Sequence, residues 1–240
     1  MKKMGLTFIY LWLISLCSCQ KELIEYEKGD VKICIEQGEQ WLHDFPLFLG
    51  INKKNPPQIA IWLEDTQGNY LSTVYVTHKI ATQSLQASGG NRRKEALPHW
   101  CYSRGVKYDD GLYLPTKKEP LIDGISGATP HESFDIKLNP TTALKKFVVK
   151  IEINHSTDFN EAFPKSAKDG EANYSGGKEG SGQPAIVYAA NVDLSSGEKS
   201  FEANLMGHSS PDGSSGEVNK DTSELTTALH IVKRITVIIQ

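Results

Sequence analysis

Apolar residues in this chain recur at every second position far more often than at helical spacing. Val31 to Glu36 (VKICIE) alternates apolar and polar in the manner of a half-buried strand. Ser133 to Leu138 (SFDIKL) and Lys146 to Asn154 (KFVVKIEIN) alternate likewise, and Ile186 to Leu194 and Ile231 to Ile239 extend the set. Gln58 to Glu64 (QIAIWLE) and Tyr70 to Thr77 (YLSTVYVT) are rich in β-branched and aromatic residues, with Asp65-Thr66-Gln67-Gly68-Asn69 between them as a turn. Both runs are apolar on both faces, which predicts a hairpin lying centrally in a sheet. Phe45 to Gly50 reads as a short strand or a loop. At least eight strand-like runs with hardly a helix-period segment predict an all-β chain.

One stretch departs from this pattern. Arg92 to Arg104 is polar around Ala96-Leu97-Pro98-His99-Trp100-Cys101, which predicts one or two helical turns ending at Pro98. Pro164 to Gln183 and Gly207 to Ser223 are rich in Gly and Ser and read as long loops, a kind that compact domains keep for function or leave disordered. Neither marks a boundary, because strands on both sides are needed for one core. The predicted organisation is a signal segment 1–18, a charged tether 19–30 and a single β domain 31–240.

The first residues explain that division. Lys2 and Lys3 precede an apolar run, Leu6 to Leu16, too short for the roughly 20 residues that span a bilayer but suited to a signal peptide. The run ends in Leu16-Cys17-Ser18-Cys19, which resembles the bacterial lipobox. That resemblance implies cleavage before Cys19, acylation of its sulfur, and a lipid-anchored protein of the cell envelope, at the outer membrane on its periplasmic face or at the cell surface. Cys17 fits less well as acceptor, because Leu16 then occupies the position that needs a small residue.

Composition narrows the picture. A mature chain from Cys19 has 240 − 18 = 222 residues, enough to bury a full core. Without Lys2 and Lys3 it carries 24 basic and 29 acidic residues, a net of −5, and no basic patch denser than Lys145-Lys146, so nothing points to a nucleic-acid partner. Cys34 and Cys101 remain beyond the anchor. An oxidising compartment permits a disulfide between them, and two buried thiols are the other reading. The histidines show no metal-ligand spacing, and Ser126 lacks a Gly-x-Ser-x-Gly elbow, which argues against a hydrolase.

Three blocks then occur in order: Pro57-Gln58-Ile59-Ala60-Ile61-Trp62-Leu63-Glu64-Asp65, Ala96-Leu97-Pro98 with Trp100, and Asp123-Gly124-Ile125-Ser126-Gly127-Ala128-Thr129. Together they resemble an uncharacterised family of bacterial periplasmic proteins, a domain of unknown function, over roughly Val31 to Ile153. The resemblance implies an antiparallel β-sandwich, immunoglobulin-like or related, encoded near membrane redox proteins. Many members follow the Ala-Thr with Trp-Asp and then a Gly-x-Tyr strand; here Phe134-Asp135 stands at the first, and the second is absent.

The third block also resembles the flavinylation motif of extracytoplasmic flavin carriers. By that resemblance a flavin transferase joins FMN through its phosphate to the hydroxyl of Thr129. Asp123, Ser126 and Gly127 complete the motif, and Gly124, Gly127 and Ala128 leave the backbone unobstructed. The chain would then be an electron-transfer component whose redox chemistry belongs to the flavin. The same residue types also build a tight turn, with Asp123, Ser126 and Thr129 bonding to nearby backbone. That alternative makes the protein a non-enzymatic binding or interaction module. Among the remaining candidates, Glu152, Asn154, His155 and Asp158 form a dense polar cluster at a strand end, either a ligand site or a loop entry. Trp62 reads as core, and Trp100 as the better stacking surface for a ligand.

Overall fold

The computed structural model describes residues 22–25, 30–46, 51–84, 92–116, 118–119, 121, 123–140 and 144–240. The signal segment, Cys17 and Cys19 lie outside the described residues.

Among the described residues thirteen strands follow one another: β1 Glu22–Glu25, β2 Val31–Gln37, β3 His43–Pro46, β4 Asn52–Asn55, β5 Gln58–Glu64 and β6 Tyr70–Thr77. After two short helices, α1 His78–Thr82 and α2 Pro98–Ser103, come β7 Ile125–Gly127, β8 Phe134–Leu138 and β9 Lys146–Asn154. The last four are β10 Ile186–Asp193, β11 Ser200–Glu202, β12 Asn204–His208 and β13 Val232–Ile239. They form an all-β sandwich. The smaller sheet has the order β1-β8-β2-β13-β11, the larger β12-β10-β9-β5-β6-β7, and β3-β4 is a separate ribbon. Pairing is antiparallel except at two edges, where β1 runs parallel to β8 and β7 parallel to β6.

Alternation explains the core. Val31, Ile33 and Ile35 of β2, with Phe134, Ile136 and Leu138 of β8, point inward from the smaller sheet. Ile59, Ile61 and Leu63 of β5, with Phe147, Val149, Ile151 and Ile153 of β9, meet them from the larger one. The β5–β6 hairpin is central as expected, and its turn is held by Asp65, which accepts from the Gln67 and Asn69 amides. Gly68 closes that turn at φ +87°, a conformation glycine adopts without penalty.

Three local readings change. Pro98 opens α2 instead of ending it: its fixed φ suits the first helical position, where a missing N–H removes nothing. Glu22–Glu25, in the stretch read as tether, form an edge strand beside β8. The Gly/Ser-rich stretches are packed, with Ser175, Ser181, Gln183 and Ser209 buried. Ser175 Oγ accepts from Gly182 N, and Gln183 Oε1 accepts from Thr226 N.

Candidate functional site

The 123–129 block is an edge strand pinned at both ends. Tyr75, Val76 and Thr77 of β6 pair with Ile125, Ser126 and Gly127. At the start, the Asp123 carboxylate accepts from the Tyr70 hydroxyl and from Thr73 N. Gly124 is required there, because a Cβ would come within 2.8 Å of the Thr73 methyl. In the middle, Tyr75 OH donates to Gly127 O. At the end, Thr129 is 4% exposed, with its Oγ1 2.7 Å from Thr77 Oγ1. Trp41 Nε1 donates to Pro130 O just beyond. Ser126 faces solvent beside His78 Nδ1 at 3.3 Å, and Ala128 is exposed as well.

This geometry does not fit FMN attachment. The acceptor must reach another enzyme's active site, and the Thr129 hydroxyl is instead inside the fold and already hydrogen-bonded. Of the four motif residues, Asp123 and Thr129 serve opposite ends of the strand and do not converge on one place.

Asp123 belongs to a second constellation, on the face of the larger sheet turned away from the main core. Trp62 and Glu64 of β5 and Lys150 and Glu152 of β9 alternate onto this face, where α2 covers them together with Ala60, Val76, Leu97 and Cys101. Glu152 is fully buried. Its two oxygens accept from His99 N at 3.1 Å and Trp100 N at 2.7 Å, the otherwise orphan amides of the first turn of α2. Burial pushes its pKa up to about 7, against the downward pull of those amides. Glu64 accepts from Trp62 Nε1 at 2.8 Å and faces Lys150 Nζ at 3.7 Å. Of the two readings of Glu152, ligand site or loop entry, the structure gives neither: its oxygens hold a helix end.

Trp100, read as a stacking surface, is wholly buried; its indole N–H donates to Thr73 Oγ1, and Arg104 lies over its ring at 5.1 Å. Burial and the Asp123 hydrogen bond both push Tyr70 above its ordinary range. His99 packs edge-on against Trp62 and donates from Nδ1 to Gly216 O. Its Nε2 is buried with no partner among the described residues, and burial lowers its pKa. The stacked pair Tyr102 and Tyr113, centroids 4.3 Å apart, forms the half-exposed rim.

The other expected cluster divides. Glu152 and Asn154 point to the α2 face, while His155 turns inward beneath the β3 ribbon. His155 packs tilted against His43, ring centroids 5.1 Å apart, and donates from Nε2 to Gln40 O. Burial drops its pKa to about 4. Asp158 accepts from Thr227 Oγ1 at 2.6 Å, and burial raises its pKa. Thr157 between them holds a left-handed φ of +61°, unfavourable for a β-branched residue. No set of three or more ligating side chains among the described residues is placed to hold a metal.

An open groove of about 450 Å³ runs over the outward face of the smaller sheet. Its floor carries the ion pairs Lys32–Asp135 at 3.1 Å and Arg234–Glu36 at 2.6 Å, with Cys34 between them. Cys34 lies in this sheet and Cys101 in α2, on opposite sides of the core. Both are buried thiols, so the disulfide reading is corrected. Each was drawn to its place by a different sheet face.

Sequence reading missed Tyr70, Thr73, Arg104 and Lys150. Only Lys150 left a signal, a charge alternating with apolar residues in a strand that is buried on both faces. Compared with family models, characterised proteins and solved structures, the chain matches none.

Proposed function

We propose that this chain is a lipid-anchored, non-enzymatic binding or interaction module of the cell envelope, held through Cys19, with 123–129 as a structural edge strand. What carries the reading is the position of Thr129, whose hydroxyl is buried against Thr77 Oγ1. Exposing it requires undoing the end of β7 and the Trp41–Pro130 hydrogen bond. The buried polar groups beneath α2 support the same reading. Glu152, Glu64 and Asp123 each have partners within the fold, which is how charged groups are kept in place when they serve structure.

The test is co-expression of the full chain with a flavin transferase, followed by fluorescence on a denaturing gel. A dark wild-type band is expected. A fluorescent band that disappears in Thr129→Ala would overturn the reading and make the chain a covalent FMN carrier in electron transfer.

A further inference from the structure

β1 starts at Glu22, three residues beyond Cys19 (22 − 19 = 3). Extended chain advances at most about 3.6 Å per residue, so Cys19 and Glu22 lie within about 11 Å of each other. A flexible tether over residues 19–30 would instead have a root-mean-square span of roughly 19 Å and let the domain turn freely. The ladder removes that freedom: Glu22 pairs with Phe134 and Glu25 with Lys137.

The registers say which end of the sandwich holds Glu22. Phe134 lies opposite Ile35, and Gln37 opposite Val232, so β1 begins at the end bearing the turns 37–42, 128–133 and 228–231. The larger sheet presents the matching end, because Gln58 pairs with Asn154 and His155 reaches Gln40 O. Both long Gly/Ser-rich loops leave from there, after Asn154 and after His208. The turn Asp193–Lys199 lies at the far end, where Ile239 N donates to Lys199 O.

We propose that the sandwich stands on the lipid bilayer by this end, with β1 as a short, ordered leash and the 193–199 turn pointing away. The proposal rests on the reading of Cys19 as the acylated residue. The surface it meets is lipid at headgroup level. Gln37, Glu39, His131, Glu132 and His230, on or beside these turns, are exposed and polar. Of the exposed large apolar side chains among the described residues, Leu71 and Leu194 lie at the far end and Leu205 along β12, while Ile51 stands on the β3–β4 ribbon that springs from this end. The acyl chains supply insertion, and the turns at this end supply polar contact.

The test uses the full acylated chain in phosphatidylethanolamine–phosphatidylglycerol vesicles carrying a headgroup-linked nitroxide quencher. A fluorophore is placed on His131→Cys or on Glu198→Cys, with the unsubstituted chain as the labelling blank. The two sites are separated by about 20 Å along strands of this length. Strong quenching at 131 and several-fold weaker quenching at 198 are expected. A Gly/Ser spacer inserted between Lys21 and Glu22 should bring the two values together. Equal quenching in unspaced protein that sediments with the vesicles overturns the orientation. Protein that does not sediment overturns the anchor at Cys19, and the orientation with it.

Discussion

The carboxylate of Glu152 receives the backbone N–H of Trp100 at 2.7 Å, and this bond fastens α2 to the centre of the larger sheet. α2 has no side-chain cap of its own, since Leu97 precedes it. A strand residue far away in sequence does that work. Removing the acceptor in Glu152→Ala leaves two buried amides unpaired, a loss of about 3 kcal/mol. Urea denaturation should show it, with Glu152→Gln retaining part of the stability. An alanine variant as stable as wild type would mean that α2 is not held this way.

The pH response of the same residue has a definite sign. Burial raises Glu152 from 4.5 to about 7, so between those values the folded chain keeps a proton that the unfolded chain has released. Its contribution is present below pH 4.5 and is lost as pH rises through 7, at about 1.4 kcal/mol per pH unit. Glu152→Gln should therefore gain on wild type between pH 5 and 7 in paired denaturation curves.

His155 acts in the opposite direction. Its pKa falls from 6.5 to about 4, so acid protonates the unfolded chain first. Stability present above pH 6.5 is lost as pH falls through 4. The slopes of His155 and Glu152 oppose one another between pH 4.5 and 6.5. His155→Gln should gain on wild type as pH is lowered across that window. A constant difference from pH 7 to 4 would exclude a buried neutral imidazole.

Two glycines of the 123–129 block should respond differently to a methyl group. At Gly124 a Cβ meets Thr73 Cγ2 at 2.8 Å and Thr73 O at 3.0 Å, so Gly124→Ala should cost about 1–3 kcal/mol. At Gly127 the nearest atom is a Tyr75 ring carbon at 3.5 Å, an ordinary contact, and Gly127→Ala should fall within about 0.5 kcal/mol of wild type. Thermal melts of both variants separate a docked strand from an open loop, in which both substitutions would be silent.

Cys101 is fully buried, and desolvation raises its thiol well above the usual range. In folded protein at pH 8 it should resist a thiol reagent. After denaturation without reductant, Cys34 and Cys101 should both titrate. A count of zero would restore a bridge between them.

Much of the fold was legible in the chain itself. β2, β5, β6, β8, β9, β10 and β13 are the strands with full alternation or β-branched runs, and each lies where that pattern places it. A strand's own side chains specify such a pattern when one face meets a core. Strands β1, β4, β7, β11 and β12 are three to five residues long and sit at edges or in the ribbon. They are defined by the neighbour they pair with, and Ile125–Gly127 reads equally well as turn or motif until Tyr75–Thr77 lie beside it. The same limit applies to the chemistry. Asp123-Gly124-Ile125-Ser126-Gly127-Ala128-Thr129 specifies residue types suited to an acceptor or to a docked strand, and the choice depends on whether Thr129 meets solvent or Thr77. Lys150 and Glu152 alternate with apolar residues in β9, but nothing local announces that α2, some fifty residues earlier, lands on them. Alternation therefore determined an all-β chain, and tertiary packing decided how its two sheets face one another and which polar groups became their internal fastenings.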